Sequence, residues 1–129
     1  MRVVVDTNVL VSGLLSSSGT PASVVNVLLG RQVRLLVDNR ILFEYEDVLR
    51  REELGFRADT VNSLIDFIRA EAEYINAQPV NRAFQDKDDK AFYEVAVGGK
   101  ADALVTGNLK HFPKEPIIQT PRQFIDSLD

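Results

Sequence analysis

With 129 residues, 45% of them hydrophobic and 26% charged, the chain has the size and balance of one soluble globular domain, too short for two cores without a visible linker. It has no cysteine and one histidine, His111, which excludes disulfides, zinc–thiolate and iron–sulfur sites and cysteine nucleophiles, and leaves any metal to be a hard ion held by oxygen. The formal net charge of −4 argues against a broad basic face for nucleic acid but not against acids gathered around a metal. No apolar run reaches the length of a membrane span, and Asp6 and Asn8 interrupt any secretory signal, so a cytoplasmic protein is expected.

Residues 2–5 are mostly β-branched and end on a polar cluster, which predicts a fully buried, parallel strand closed by Asp6-Thr7-Asn8 as a loop. Ser16 to Gly19 reads as a solvated loop. Thr20-Pro21 then reads as an N-cap with proline at the first helical position, and Val24 to Leu29 carry that helix to Gly30. Val33 to Val37 predicts a second strand, and Asp38-Asn39 caps a helix with Ile41, Leu42, Tyr45, Val48 and Leu49 on one face. After a break at Gly55, Val61, Leu64, Ile65 and Ile68 mark a helix from about Asp59 to Glu73, while residues 72–77 read either as its last turn or as a short third strand. A helix starts near Asp88 or Asp89, one of them its N-cap, and ends at Gly98-Gly99. Ala103 to Thr106 and Ile117-Ile118 predict two more strands, and Thr120-Pro121 starts a final helix with Phe124, Ile125 and Leu128. Phe67, Phe92 and Phe124 are expected in the core.

Strands alternating with helices predict a parallel sheet covered on both faces, with ligands gathered beyond the carboxyl ends of the strands. At that edge the pattern places Asp6, Glu44, the Asp86, Asp88 and Asp89 cluster, and Thr106-Gly107-Asn108, groups far apart in sequence. Three or four acids converging there repel one another unless a divalent cation neutralises them, so a Mg²⁺ or Mn²⁺ site is expected. Such a site suits attack of water on a phosphodiester, which needs no protein nucleophile. Lys87, Lys90 and Lys110 lie nearest the acids and are the candidates to meet phosphate, whereas His111 reads as a surface or packing residue.

Four stretches, VVDTNVL around Asp6, the EYEDVL helix from Glu44, DKDDK at Asp86 to Lys90, and LVTGN ending at Asn108, stand in an order and spacing that resemble the PIN domain, the fold of many toxin ribonucleases of the VapC-like kind. The resemblance covers essentially the whole chain. It implies one domain over residues 1–129, a three-layer α/β/α sandwich around a mostly parallel sheet of four or five strands, a Mg²⁺- or Mn²⁺-dependent endoribonuclease, and frequently a homodimer blocked by a cognate antitoxin. Asp6 matches the first acidic position and Glu44 the second. Spacing back from Thr106 favours Asp89 for the third, with Asp88 its close competitor, Asp86 in an outer ring, Asn8 as an orienting residue and Thr106 as a hydroxyl near the metal. Asn108 departs from the pattern, since many members have aspartate there. It keeps an oxygen and loses a charge, so a weaker metal site is expected.

Other readings are a PIN module that binds RNA or protein without cutting, a housekeeping RNA-processing nuclease, and a phosphoacceptor switch domain. The last wants paired acids at the first strand, where this chain has Asp6 followed by Thr7-Asn8.

Overall fold

The computed structural model describes residues 1–128. Five short strands form one sheet in the order β3-β2-β1-β4-β5, every neighbouring pair parallel. They are β1 (Arg2–Val5), β2 (Arg34–Val37), β3 (Glu73–Tyr74), β4 (Ala103–Val105) and β5 (Ile118–Gln119). Between and after them run α1 (Thr7–Leu15), α2 (Thr20–Leu29), α3 (Asn39–Leu49), α4 (Ala58–Glu71), α5 (Lys87–Gly98) and α6 (Pro121–Ser127). Helices cover both faces of the sheet, which makes the expected three-layer α/β/α sandwich.

The central strands are buried on both faces, and this is why they read as unbroken apolar runs: Val3, Val4, Val5, Leu36, Val37, Leu104 and Val105 have no exposed surface. Tyr45, Phe92 and Phe124 are the largest fully buried side chains. Phe67 is only half-buried, its ring lying 5.4 Å beneath the Arg31 guanidinium. The strands end level with one another. Val5 pairs with Val105 and Val105 with Gln119, while the Asp6 N–H donates to the Val105 carbonyl and the Thr106 N–H to that of Gln119.

Three boundaries differ from those the sequence predicts, and one open choice is resolved. Asp6 is followed not by a loop but directly by α1, which occupies the supposed loop and runs to Leu15. Gly19, not Thr20, is the N-cap of α2. Of the two readings open for residues 72–77, the structure takes the short strand, β3. The N-cap of α5 is Asp86, whose carboxylate accepts the Asp88 N–H at 2.8 Å, so neither Asp88 nor Asp89 is tied up in capping.

Candidate active site

The carboxyl edge of the sheet gathers the acids from three elements. Asp6 ends β1, Glu44 comes from the second turn of α3, and Asp88 and Asp89 from the first turn of α5. Together with Asp86, Asn8, Asn108 and His111 they line a shallow cavity of about 260 Å³. Tyr45 fixes the meeting of α3 with the sheet: its hydroxyl, fully buried, donates to the Val5 carbonyl. That bond sets the register of α3 against the strand end and brings Glu44, the preceding residue, beside Asp6.

Asp6 is 6% exposed. One of its oxygens, Oδ2, accepts the Thr106 hydroxyl at 2.7 Å, and the Thr106 oxygen in turn accepts the Asn108 N–H at 3.0 Å. Although Asp6 is the N-cap of α1, its side chain forms no capping bond of full geometry; the nearby Thr7 and Asn8 amides still ease its charge. Asn8 acts on the neighbouring turn, its amide oxygen accepting the Gly107 N–H at 3.3 Å. Asp89 Oδ2 lies 3.2 Å from Nδ1 of His111.

Among the described residues, no lysine or arginine pairs with Asp6, Glu44, Asp86, Asp88 or Asp89. Their carboxyls therefore feel burial and each other. Burial pushes Asp6 above its ordinary range, against the pull of Thr106 and the Asn8 and Thr7 amides. Glu44 is raised by burial and by the charges of Asp88 and Asp6, with partial relief from the Thr7 hydroxyl and from Arg51. That hydroxyl is buried, has no partner in full hydrogen-bond geometry, and faces the site. Asp89 is pushed up to about 6 by burial and then by Asp6 and Asp86, while His111 works the other way. Mutual repulsion only partly offset by His111 and Arg51 is a stability cost, and such costs collect at functional sites.

The model of the PIN domain family matches residues 2–110. The chain belongs to the PIN domain family. PIN domains are in general nucleases, hydrolases of nucleic acid, and typically use divalent metal ions. Neither a curated protein nor a solved structure matches the chain.

The acids of this PIN domain are hard oxygen donors of the type Mg²⁺ and Mn²⁺ prefer. Among the described residues, however, no three acidic or imidazole groups stand close enough to hold one ion together. Of the basic residues picked out in the sequence, Lys110 lines an adjoining cavity, while Lys87 and Lys90 sit on the first turn of α5 and line neither that cavity nor the acidic one. Asn108 is exposed and precedes a short 3-10 turn at Leu109–His111, without a side-chain capping bond. His111 was missed in the sequence because nothing in its neighbours signals contact with Asp89; only that turn carries it back across the edge. A separate groove of about 400 Å³ lies at the opposite edge of the sheet, where Arg2 and Arg31 are already paired with Glu73 and Glu71.

Proposed function

We propose that the chain is a divalent-metal-dependent endoribonuclease with Asp6, Glu44 and Asp89 as its catalytic acids. The observation that carries this reading is the set of acids, ion-paired with no lysine or arginine among the described residues, at the carboxyl edge of a domain whose family is one of nucleases. Asp6, Glu44 and Asp89 line one cavity but stand apart in the structure, and they would have to draw together around Mg²⁺ or Mn²⁺ to hold it, with Asp88 and Asn108 as further oxygen donors. When bound, such an ion lowers the pKa of water and offsets charge developing on the phosphoryl oxygens.

The chain's own residues fix these donors. Thr106 holds Oδ2 of Asp6 and is itself held by the Asn108 N–H, so the rotation of the Asp6 carboxylate is tied to the backbone after β4. His111 steadies Oδ2 of Asp89. Asn8 ties the Gly107 turn to the start of α1. A carboxylate held at one oxygen keeps the other free to bind.

The test is hydrolysis of structured RNA by purified protein with Mn²⁺, beside Asp6→Asn. Cleavage by the wild type alone supports the reading, and equal cleavage by both means that the activity does not belong to this site. Asn108 adds a second expectation: Asn108→Asp binds Mn²⁺ more tightly than the wild type in a calorimetric titration, and equal affinity contradicts a role for Asn108 at the metal.

In the cell this reading makes the protein a cytoplasmic toxin, a homodimer held in check by a cognate antitoxin; among the described residues no helix is long and apolar enough to cross a membrane. A small overlapping upstream reading frame supports the toxin role, and its absence favours RNA processing. A second reading, a PIN module that binds RNA or protein without cutting, draws on Asn108 and on the lack of a three-ligand group among the described residues. RNA binding without Asp6-dependent cleavage would select it.

A further inference from the structure

The acidic cavity is not closed at Asp89. Asp86, Asp89 and His111 also wall a second cavity, of about 550 Å³, bounded on its other sides by residues 82–86 and 110–113. Its chemistry is different. The Phe84 ring is half-buried and meets Phe112 edge-on at 6.2 Å and Tyr93 at 5.6 Å. Lys110, exposed, makes no ion pair among the described residues. An aromatic surface and a free cation thus open into the same space as the acids. A nucleotide offers the matching parts, a flat base and a phosphate, and the volume falls in the range of small-ligand cavities.

Phe84 packs the segment from Ile75 to Asp86 onto the domain, and a ring that did nothing else would account for the aromatic cluster. Packing alone does not call for a half-exposed ring at the mouth of a cavity that shares three residues with the acids. The segment is also held in place independently of Phe84. The Val80 N–H donates to Oε2 of Glu94 at 2.8 Å, and Oε1 of Glu94 accepts from Arg40 at 2.7 Å. Twelve residues without regular structure are an unusual length for a connection in a compact domain, and segments of this kind commonly carry binding surfaces. Because this one is already ordered, a ligand need not supply the ordering entropy.

We propose that this cavity is a nucleobase subsite: it takes one unstacked base, on Phe84, from the nucleotide flanking the phosphodiester at the acidic cavity, and Lys110 meets an adjoining phosphate. The subsite makes Phe84 a determinant of how tightly the nucleotide flanking the cut is held, whatever its base. The proposal rests on the nuclease reading of the neighbouring acids.

Fluorescence anisotropy in EDTA separates base from phosphate without hydrolysis. The probes are a labelled single-stranded oligoribonucleotide and a strand of the same length with the same phosphates but abasic at every position. The wild type is expected to bind the base-bearing strand about tenfold more tightly, the scale of one base stacked on an aromatic ring. Phe84→Leu, which keeps apolar packing, is expected to abolish that preference, whereas Lys110→Ala weakens both strands by the same factor. A wild type that binds the two strands equally overturns the proposal, as does a Phe84→Leu protein of native melting temperature that keeps the preference. Should Phe84→Leu not fold, the comparison of the two strands on the wild type decides alone. Failure of the nuclease reading shows differently, as Mn²⁺-dependent cleavage that survives Asp6→Asn.

Discussion

Asp6 comes at the end of a strand with no exposed surface, and its carboxylate loses most of its water there. Two things meet it in exchange, the Thr106 hydroxyl and the amide end of α1. Thr106→Val removes the first and also leaves the Asn108 N–H without its acceptor. It should cost about 2 kcal/mol of stability, the usual worth of a buried hydrogen bond to a charged group, measured by urea denaturation. Asp89 is the opposite case. Burial and the charges of Asp6 and Asp86 penalise its ionised form, so Asp89→Asn should stabilise the metal-free protein at pH 7.5 by about 1 kcal/mol, allowing for solvent screening, while removing activity. A lower melting temperature for Asp89→Asn in EDTA would contradict that. Asp6 and the Asp86 to Asp89 cluster were legible in the sequence because they stand at recognisable element ends, and Glu44 because it lies early in the helix that follows a strand. His111 and Glu94 were not: the partner of each, Asp89 or Arg40, lies on another element, and no local pattern announces either pairing.

Among the elements, α1 was the one hidden in the sequence. Val9 and Val11 are β-branched and Gly13 is a poor helix former, so the stretch reads as a continuation of strand and loop. Tertiary packing overrides that preference. A Cβ on Gly13 would lie 2.6 Å from Cγ2 of Val25 and 2.8 Å from the Pro21 carbonyl oxygen, so α1 and α2 touch backbone to backbone at this point. Gly13→Ala should therefore destabilise by about 1–3 kcal/mol, despite alanine's better helix propensity, and a gain in melting temperature would show that the two helices are not so closely packed. In α3, Tyr45→Phe leaves the Val5 carbonyl without its buried donor, at about 1–3 kcal/mol, and is expected to reduce cleavage through misplacement of Glu44.

On α5, Glu94 is 5% exposed and joins that helix to α3 and to the 75–86 segment. Burial alone would raise its carboxyl, but Arg40 and the Val80 N–H outweigh that and hold it below the ordinary range. The stability it contributes is full above the unfolded value of about 4.3 and is lost as pH falls through the lower folded value. Glu94→Gln should therefore melt lower than the wild type at pH 7, with the difference closing as pH falls below about 4. A gap that stays constant with pH would mean that the carboxylate's charge is not what holds the segment.

For the whole molecule, parallel strands of nearly equal end point turn a scattered set of acids into one site. Val5, Val105 and Gln119 stand side by side, so the residues after β1 and β4 share an edge, and α3 and α5 add theirs from above it. That much follows from alternating strand and helix patterns. The side-chain geometry does not, because a shift of two or three residues in the N-cap, from Asp88 or Asp89 to Asp86, decides which carboxylates cap and which are left free of capping. The net charge of −4 fits the same picture, a domain that concentrates negative charge where a divalent cation would balance it.

If Asp6 and its neighbours form a metal-dependent ribonuclease site, the rate of RNA hydrolysis with Mn²⁺ for wild type and Asp6→Asn, with melting temperatures taken alongside, shows it. Asp6→Asn is expected to lose about a hundredfold or more in rate and to keep or raise its melting temperature in EDTA, and EDTA is expected to abolish wild-type cleavage. Cleavage that persists in a well-folded Asp6→Asn protein would contradict such a site.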